Sequence, residues 1–329
     1  MESGLPEHRP KIRFERFVDY PAQRSGWAYA QRSLMPLLSD APDAIVLDTM
    51  IERNFARELP QALAEQRIPY RRPWAGIVHV PPDVPPWQDD SKTLTRIAEL
   101  PAWQESLPYC RGLITLSRHF RDWVSAFVPG VPVLALHHPT ELAERTFNLD
   151  AYLQHGQPVV QVGWWLRKLA SIHFLPLPAE RKHLLTPVEP ERMPRFLAAL
   201  DAERAQTGAP PLDEWHATIL PRCENADYDA LLARSIVFLD LHSAVVNNAV
   251  IECIVRRTPV LVNRLPGTEE YLGREYPFFF DSLHEAAAKA SDVALVRETH
   301  AYLAAMDLSF LSGETFCREL AESAMYRSW

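Results

Sequence analysis

Glycine is scarce in this chain of 329 residues, which contains 11 glycines and 29 prolines. Neither G-x-G-x-x-G nor G-x-x-x-x-G-K-S/T occurs in it. These patterns are the glycine loops with which the usual dinucleotide-binding oxidoreductases and P-loop kinases hold phosphates, so both classes are disfavoured. If the protein binds phosphates, helix N-termini and basic side chains must hold them.

Cysteines and long apolar runs are few as well. Four cysteines lie far apart, with neither a C-x-x-C pair nor a Cys/His metal spacing, which favours reduced thiols in a cytosolic protein and no metal site. The first residues are polar and lack the apolar segment of a signal peptide. No apolar run approaches the length of about 20 residues that spans a bilayer. We therefore expect a soluble cytoplasmic protein with at most peripheral membrane contact.

The chain also lacks an excess of basic residues, since its formal net charge is −8. Domains that bind nucleic acid usually carry a basic patch or stripe, and none is visible here, so nucleic acid is disfavoured as a partner. What the chain does have is length and apolar content. Its 329 residues, 47% of them hydrophobic, suffice for two α/β domains with buried cores.

Strand-like and helix-like segments alternate along the chain, a pattern typical of parallel sheets. The predicted strands are 11–20, 44–48, 76–80, 112–116, 131–136, 158–163, 181–188, 216–220, 235–241, 260–263 and 278–281. The main predicted helices are 27–38, 58–66, 117–127, 191–205, 228–234, 249–257, 283–293, 296–306 and 312–325. A linker predicted over 137–157 divides the chain into domains 1–145 and 146–329.

One segment, 235–273, combines several polar residues with a strand–helix–strand pattern. An apolar run ends at Leu241, and Asn247 and Asn248 then offer side-chain oxygens that can cap a helix. The predicted helix carries its apolar residues on one face and Glu252 off that face. These polar groups thus follow the carboxyl end of a strand, where open α/β sheets bind nucleotides and phosphates.

This segment resembles the donor-binding half of GT-B glycosyltransferases, in particular family-4-like sequences. Glu252 takes the place of the second glutamate of their E-x-loop-x-E pattern, and 257–260 (R-T-P-V) takes the place of their turn before the next strand. Glu269 and Glu270 stand where an acidic loop follows that strand. The first glutamate, eight residues before the second, is replaced by Ala244.

The resemblance implies an α/β protein of the GT-B fold, with two Rossmann-like parallel-sheet domains facing each other across a cleft. In that family the last helix, here about 312–325, often crosses back to the first domain. It also implies an enzyme that transfers a hexosyl or related sugar from a nucleotide-diphosphate sugar, without a metal and with retention. The nucleotide sugar is a co-substrate, and no other cofactor is expected. The acceptor stays open: a saccharide, a lipid-linked glycan, a small molecule or a protein.

Basic residues after the first strand of the second domain are the candidates for binding the diphosphate. The segment 163–168 (G-W-W-L-R-K) is similar to the family's G-x-x-x-x-K segment, whose cations contact the leaving diphosphate. Arginine suits a bidentate phosphate contact and lysine a point charge, so Arg167 and Lys168 are predicted donor-binding residues. The alternative for both is a solvated basic pair in a loop.

Further candidates for the donor follow the next predicted strands. In the family, the glutamate matched by Glu252 binds ribose hydroxyls, and Asn247, Asn248, His242 and Glu269 are predicted to contribute to the same site. For the asparagines the alternative is a simple helix cap. For Glu252 it is a carboxylate that is favourable near a helix N-terminus.

Two residues of the first domain are candidates for catalysis. His79 ends a predicted strand, where the family often has a histidine that faces the donor sugar. Asp83 follows in a proline-rich loop and could act as a base if the enzyme inverts. The alternative for His79 is a structural histidine of the core.

Other readings of the sequence stay open. Asp227 and Asp229 form a literal D-x-D, which holds a divalent cation in GT-A enzymes, but here they open a predicted helix where acids are ordinary. A GT-B-shaped sugar-nucleotide epimerase would share the fold but need more acid and base residues from the first domain. A non-catalytic relative that binds a nucleotide or a protein partner is a third possibility, because Ala244 replaces a family glutamate.

Overall fold

The computed structural model describes residues 9–17, 26–85, 87–185, 191, 193–209 and 216–329. These residues form two compact units. The first unit comprises the described parts of Met1–Pro82, Asp89–Glu141 and Asp307–Trp329. The second comprises the described parts of Asp83–Gln88 and Leu142–Met306.

The first unit is built on a parallel sheet with the strand order β1-β2-β3-β4-β5. Its strands are β1 Ile12–Phe14, β2 Ile45–Asp48, β3 Trp74–Val78, β4 Cys110–Thr115 and β5 Val133–Ala135. Its helices up to residue 141 are α1 Trp27–Ser33, α2 Leu59–Ala64, α3 Leu94–Ile97, α4 Pro101–Ser106 and α5 Arg118–Phe127. The central strand β3 is buried along its whole length, as the continuous apolar runs of parallel sheets require.

The second unit is built on another parallel sheet, with the order β11-β10-β9-β6-β7-β8. Its strands are β6 Val159–Gln161, β7 Lys182–Leu185, β8 Thr218–Leu220, β9 Ile236–Leu239, β10 Val260–Asn263 and β11 Phe279–Phe280. Its helices are α6 Leu149–Gln154, α7 Ser171–Phe174, α8 Met193–Thr207, α9 Asn225–Leu232, α10 Asn248–Arg256, α11 Pro266–Leu272, α12 Leu283–Ser291 and α13 Val293–Ala305.

The strand order of the second sheet contains a reversal that decides where a ligand can bind. The chain builds β6, β7 and β8 in one direction and then returns to place β9 on the other side of β6. This is the order of the Rossmann fold, in which ligands bind outside the carboxyl ends of the strands at the point of reversal. In the second unit that point lies between the loops that follow β6 and β9.

The end of the chain belongs to the first unit, where it forms α14 Gly313–Glu322 and α15 Ala324–Ser328. Helix α14 packs against α1 so closely that a Cβ at Gly313 would clash with Ser33. The Lys11 ammonium donates to the Tyr326 carbonyl at 3.0 Å, which joins α15 to the start of β1. Residues at the two ends of the sequence thus pack together.

Each of the eleven predicted strands overlaps an observed one, and the parallel α/β prediction is confirmed. Parts of the predicted segments 11–20 and 181–188 lie outside the described residues. The chain passes from the first unit to the second between Glu141 and Leu142, within the predicted linker 137–157. The later part of that segment is helix α6, which Asn148 caps by accepting from the Ala151 N–H at 2.8 Å. One local interpretation was wrong. The predicted acidic loop of Glu269 is helix α11, which Pro266 begins.

Candidate functional site

The loop after β6 carries Arg167, whose guanidinium is held by several oxygen atoms of the second unit. Its Nη1 donates to the Trp165 carbonyl at 2.7 Å and its Nε to the Val162 carbonyl at 3.3 Å. Its Nη2 donates to Oδ1 of Asn247 at 3.1 Å. Burial lowers the pKa of Arg167 to about 10, and the nearby Glu252 opposes that shift, so the side chain remains cationic at neutral pH.

Gly163 makes room for this guanidinium. Its φ of +76° is a left-handed conformation that L side chains rarely adopt. A Cβ at this position would lie 2.9 Å from Cζ and Nη2 of Arg167. The glycine of the predicted G-x-x-x-x-K segment therefore serves both the turn and the close approach of the cation.

The N-terminus of α10 faces the same arginine. Asn247 is its N-cap, and Oδ1 accepts from the Ala249 N–H at 3.0 Å as well as from Arg167. One buried amide oxygen thus joins the loop after β6 to the helix that follows β9. Asn248 is the first residue of the helix and is exposed, so its side chain is available to a ligand. Helix N-termini of this kind favour anions.

Glu252 lies one turn further along α10 and contacts α9. Its Oε2 accepts from the Tyr228 hydroxyl at 2.7 Å. Burial raises the pKa of Glu252, while the hydrogen bond from Tyr228 and the positive charges of Arg256 and Arg167 oppose the rise. Arg256 also forms a buried ion pair with Asp229 at 2.7 Å. Glu252 is therefore half-buried in a polar network rather than in the apolar core.

Lys168 is paired with a buried aspartate at the end of β9. Its ammonium lies 2.8 Å from Oδ1 of Asp240, and the other carboxylate oxygen accepts from the Ser171 hydroxyl at 2.7 Å. The Lys168 side chain is 39% exposed and that of Asp240 8%. The aspartate thus fixes the direction of the ammonium, which keeps an accessible face.

His242 lies in the loop after β9 and packs edge-on against Trp87, with 5.2 Å between the ring centroids. Its backbone N–H donates to the Leu166 carbonyl at 2.9 Å. Burial and the charge of Lys168 lower the pKa of His242 to about 4, against a smaller opposite effect of Asp240. The imidazole is therefore neutral at pH 7.

A buried glutamate accepts hydrogen bonds from the backbone of the loop that carries Lys168. Glu203 of α8 accepts from the backbone N–H of Leu169 at 2.8 Å and from that of Ala170 at 3.4 Å. Burial raises its pKa to about 7, and the charge of Asp240 acts in the same direction. This carboxyl group satisfies two backbone donors of the segment that carries Lys168.

Residues from the first half of the sequence also contribute to the second unit. Oε1 of Gln88 accepts from the Leu166 N–H at 2.8 Å, and these residues are 78 positions apart. Trp87, beside it, packs against His242. The short segment Asp83–Gln88 therefore braces the loop that presents the two cations, although Asp83 itself is exposed.

A cavity of about 320 Å³ opens next to Lys168, at the carboxyl ends of β9, β10 and β11. It is lined by Lys168, Asp240, Asn263, Arg264, Phe280, Asp281, Ser282 and Leu283. Asn263 exchanges two hydrogen bonds with the backbone of Leu241, at 2.8 and 2.9 Å, which extends the pairing of β9 with β10. Glu269 pairs with Arg264 at 3.1 Å beside this cavity.

In the first unit, His79 follows the carboxyl end of β3 and contacts a buried glutamate. Nδ1 of His79 lies 2.9 Å from Oε2 of Glu52. The other oxygen of Glu52 accepts from the backbone N–H groups of His79 at 2.7 Å and Val80 at 3.0 Å. Trp27 packs against the rings of both His79, at 5.3 Å, and His138, at 5.1 Å.

The second unit brings together most of the residues predicted for the donor. Arg167, Asn247 and Glu252 form one group, while Lys168 and His242 lie around Asp240. Glu269 borders the cavity through Arg264, and Asn248 is exposed nearby on α10. His79 belongs to the first unit, and Asp83 is an exposed residue at the start of the segment Asp83–Gln88.

Glu52, Asp240 and Gln88 were not predicted from the sequence. Asp240 carried a usable signal, because it is the first charged residue after the apolar run of β9. Glu52 and Gln88 carried none, since their contacts depend on which loops the fold brings together. Among the described residues, no group of three or more His, Cys, Asp or Glu side chains is arranged to hold a metal ion. The D-x-D aspartate Asp229 is engaged with Arg256.

The helices in the described ranges include none with the length and apolarity needed to cross a membrane. No protein-family model and no curated protein matches the chain. Its fold, in contrast, matches solved structures. Trehalose-6-phosphate synthase from E. coli, bound with UDP-2-fluoro glucose, is 15% identical over 90% of this chain and 77% of its own, with a TM-score of 0.54.

Two further matches have similar extent. Sucrose-phosphate synthase from Thermosynechococcus elongatus is 12% identical over 86% of this chain and 73% of its own, with a TM-score of 0.53. An alpha,alpha-trehalose 6-phosphate synthase from Burkholderia multivorans is 16% identical over 92% of this chain and 76% of its own, with a TM-score of 0.50. At such identities the similarity shows the fold, which is that of GT-B glycosyltransferases, as predicted.

Proposed function

We propose that this protein transfers a sugar from a nucleotide-diphosphate sugar to a hydroxyl-bearing acceptor. The observation that carries the proposal is the joint position of Arg167 and the capped N-terminus of α10 at the reversal point of the second sheet. That is where a Rossmann-like sheet binds a diphosphate. The GT-B fold of the chain supports the same conclusion.

The chemistry requires positive charge where the leaving diphosphate forms. Arg167 and Lys168 supply two cations from one loop, and the dipole of α10 adds partial positive charge. Because these groups are fixed by internal hydrogen bonds before the donor arrives, little reorganisation accompanies the reaction. We propose that they take the place of a divalent cation in neutralising the diphosphate.

The nucleoside is proposed to lie toward Glu252, whose carboxylate can accept from ribose hydroxyls. The hydrogen bond from Tyr228 fixes this carboxylate at 2.7 Å and leaves its other oxygen for a ligand. A UDP-sugar is the first donor to test, because the E. coli structure of the same fold is bound with UDP-2-fluoro glucose. The cytoplasm, where such donors are found, is the proposed location.

One position of the second unit bears on the stereochemical course of the proposed transfer. The resemblance implies retention, and in that family the first glutamate lies near the sugar. Here that position is Ala244, which is buried and has no carboxylate. The outcome must therefore depend on other residues that face the sugar.

Calorimetric titration of the full chain with UDP, UDP-glucose, GDP-mannose and ADP-glucose tests the proposal. We expect at least one of these to bind, and to raise the apparent stability by about 2.7 kcal/mol when present at 100 times its Kd. Release of the nucleoside diphosphate in the presence of sugar, lipid-linked and peptide acceptors then tests transfer. Absence of binding by every nucleotide and nucleotide sugar at millimolar concentration would contradict the proposal.

A further inference from the structure

Four side-chain nitrogen atoms around the backbone of Leu166 are buried and have no hydrogen-bond partner among the described residues. They are Nε1 of Trp87, Nε2 of Gln88, Nε1 of Trp165 and Nε2 of His242. All of these residues belong to the second unit. A buried N–H group without a partner has lost its hydrogen bond to water and gained none, so native proteins contain few of them. Four such nitrogens around one residue indicate a site for a bound molecule.

The backbone of Leu166 connects the segments that carry these nitrogens. Its carbonyl accepts from the His242 N–H at 2.9 Å, and its N–H donates to Oε1 of Gln88 at 2.8 Å. Trp87 packs against the ring of His242, and Trp165 directly precedes Leu166. Leu166 has a φ of +61°, a left-handed conformation that is uncommon for L residues. Backbone strain of this kind is concentrated at ligand clamps and active sites.

The contact with Leu166 fixes the orientation of the Gln88 amide. A backbone N–H can only donate, so the oxygen Oε1 must face Leu166 and the two hydrogens of Nε2 must point elsewhere. Gln88 is 6% exposed, so bulk water does not satisfy these hydrogens. Trp87, Trp165 and His242 are half-buried, which places the four nitrogens just beneath the surface of the unit.

The four nitrogens form a set of hydrogen-bond donors. The indole Nε1 and the amide Nε2 can donate but cannot accept, and the neutral His242 ring can present an N–H at Nε2. None of these side chains is a carboxylate, and Ala244 stands where the resemblance has a glutamate near the sugar. A hydroxyl group both donates and accepts, whereas a carboxylate brings two oxygens that only accept. The set therefore matches a carboxylate better than a hydroxyl.

The neighbouring charges also favour an ionised ligand. Arg167 and Lys168 directly follow Leu166. Asp240 offsets the charge of Lys168, with 2.8 Å between the ammonium and the carboxylate, whereas the hydrogen bonds of Arg167 go to neutral carbonyl and amide oxygens. Hydrogen bonds to an ionised group are roughly twice as strong as those between neutral groups. Neutral N–H donors beside Arg167 thus gain most from a carboxylate.

We propose that Trp87, Gln88 and Trp165 bind the sugar of the donor and that this sugar carries a carboxylate, as in a uronosyl donor. The proposal rests on the proposed function, in which Arg167 binds the diphosphate. Because the sugar is bonded directly to the diphosphate, it lies within reach of the residues next to Arg167. The carboxylate oxygens accept from the amide Nε2 and the indole N–H groups, and these residues determine which sugar is used.

UDP-glucuronate and UDP-glucose test this proposal, because they differ only in a carboxylate against a hydroxymethyl group on the sugar. We expect calorimetry on the full chain to show UDP-glucuronate binding about 10-fold tighter or more. UDP-N-acetylglucosamine, which offers a neutral carbonyl oxygen, should bind no better than UDP-glucose. Equal affinities for the uronate and the glucose donor, or tightest binding of the acetamido donor, would overturn the proposal.

Gln88→Glu is the most direct variant. Its carboxylate still accepts from the Leu166 N–H, so the loop keeps its support, but an anionic oxygen replaces the donor Nε2. We expect the affinity for UDP-glucuronate to fall by about 10-fold to 100-fold relative to that for UDP. UDP is the internal reference, since a charge that acted on the diphosphate alone would weaken both ligands equally. An unchanged ratio in a folded Gln88→Glu protein would contradict the assignment.

Two further variants complete the series. Trp87→Phe keeps an aromatic ring against His242 and removes one N–H, so we expect it to weaken the binding of UDP-glucuronate more than that of UDP. Gln104→Glu adds the same charge at an exposed position of the first unit and should change neither affinity. An effect of Gln104→Glu as large as that of Gln88→Glu would reduce the result to a change in net charge and overturn the proposal.

NMR spectra of the protein labelled with ¹⁵N-tryptophan report these hydrogen bonds directly. Trp87→Phe and Trp165→Phe assign the two indole N–H signals among the nine tryptophans. We expect both signals to move downfield on addition of UDP-glucuronate and to move little with UDP, because only the uronate supplies the accepting oxygens. Equal responses to the two ligands would show that the nitrogens hold buried water only, which would overturn the proposal.

These measurements separate the sugar site from the donor site as a whole. If no nucleotide or nucleotide sugar binds, the proposed function is contradicted and the sugar site with it. If UDP binds and the uronate adds no affinity, the sugar site alone is contradicted. Where titration favours GDP or ADP over UDP, the uronate and the hexose of that nucleotide form the matched pair.

Discussion

Arg167 is the residue on which the proposed donor site depends most. Replacement by alanine removes a cation that three internal oxygens hold in place. A charge-assisted hydrogen bond contributes about 1.5–3 kcal/mol, so we expect Arg167→Ala to weaken UDP binding by about 10-fold to 100-fold. Calorimetry measures the change, with Arg297→Ala as an exposed arginine control. Equal affinity in a folded Arg167→Ala protein would contradict the assignment.

Gly163 offers a second prediction, with a control in the same unit. Alanine at Gly163 and at Gly156 meets the same backbone penalty, since their φ values are +76° and +78°; that penalty is about 1–2 kcal/mol. Only at Gly163 does the new Cβ press on Arg167.

We therefore expect Gly163→Ala to lower both the free energy of unfolding and the affinity for UDP. Gly156→Ala should lower the free energy of unfolding alone. Chemical denaturation and calorimetry on both variants check this. An equal effect of the two substitutions on affinity would show that the guanidinium does not contact the ligand.

At the scale of single residues, some members of the candidate site could be predicted from the sequence and others could not. Arg167 and Asn247 could be predicted as site residues, because each belongs to a local sequence pattern. Arg167 lies in a loop after a strand, and Asn247 is a helix cap. Asp240 could have been found from its place at the end of an apolar run. The role of Gln88 could not, because its partner is 78 residues away and no short-range pattern encodes that distance.

Helix α10 contributes its N-terminus to the proposed binding site at the carboxyl edge of the second sheet. Its cap, Asn247, serves both the helix and Arg167. We expect Asn247→Ala to lower the free energy of unfolding by about 1 kcal/mol through loss of the cap, and to weaken UDP binding as well. Asn148→Ala, which removes the cap of α6, should cost similar stability and leave the affinity unchanged.

Asn247→Asp separates the two roles of this side chain. An aspartate still accepts from the Ala249 N–H and so preserves the cap. Its negative charge pairs with Arg167 and repels a diphosphate. We expect unchanged thermal stability and weaker UDP binding, measured by calorimetry and thermal unfolding. Tighter binding of UDP to this variant would contradict a diphosphate at the N-terminus of α10.

Among the elements, those with strong local signals were predicted well. Helix α10 has a polar cap and an apolar face, and β9 is a continuous apolar run. Helix α11 was mistaken for a loop because the resemblance places an acidic loop at Glu269 and Glu270. In the fold, Pro266 begins the helix, and Gly267 accommodates the carbonyls of Ala244 and Val245, where a Cβ would clash. The requirement for glycine at this position arises from tertiary packing, and no pattern in the neighbouring sequence indicates it.

The stability of the whole molecule should depend on pH through Glu203. Its folded pKa is about 7, whereas its ordinary value is 4.5. Between these values the folded state keeps a proton that the unfolded chain has lost, so the free energy of unfolding falls as pH rises from 4.5 to 7. A shift of this size corresponds to about 3 kcal/mol.

We expect Glu203→Gln to remove that part of the pH dependence and to be more stable than the native protein at pH 8. Urea unfolding at pH 5 and pH 8 measures the difference. His138 and His242, whose pKa values are lowered to about 4, act oppositely: their contributions are lost as pH falls below about 6.5. An unchanged slope in Glu203→Gln would contradict a buried, protonated carboxyl group.

The hydrogen bond from the Leu166 backbone to Gln88 has a consequence for how this protein can be divided or recombined. A fragment that starts at Leu142 would contain every strand of the second sheet and both cations, yet the Leu166 amide and the His242 ring would lose their partners on Asp83–Gln88. Chimaeras with proteins of the same fold should therefore exchange residues 83–88 together with residues 142–306. A chimaera joined at a single crossover point would combine the loop that carries Arg167 and Lys168 with a segment 83–88 from the other protein, which need not form the same contacts.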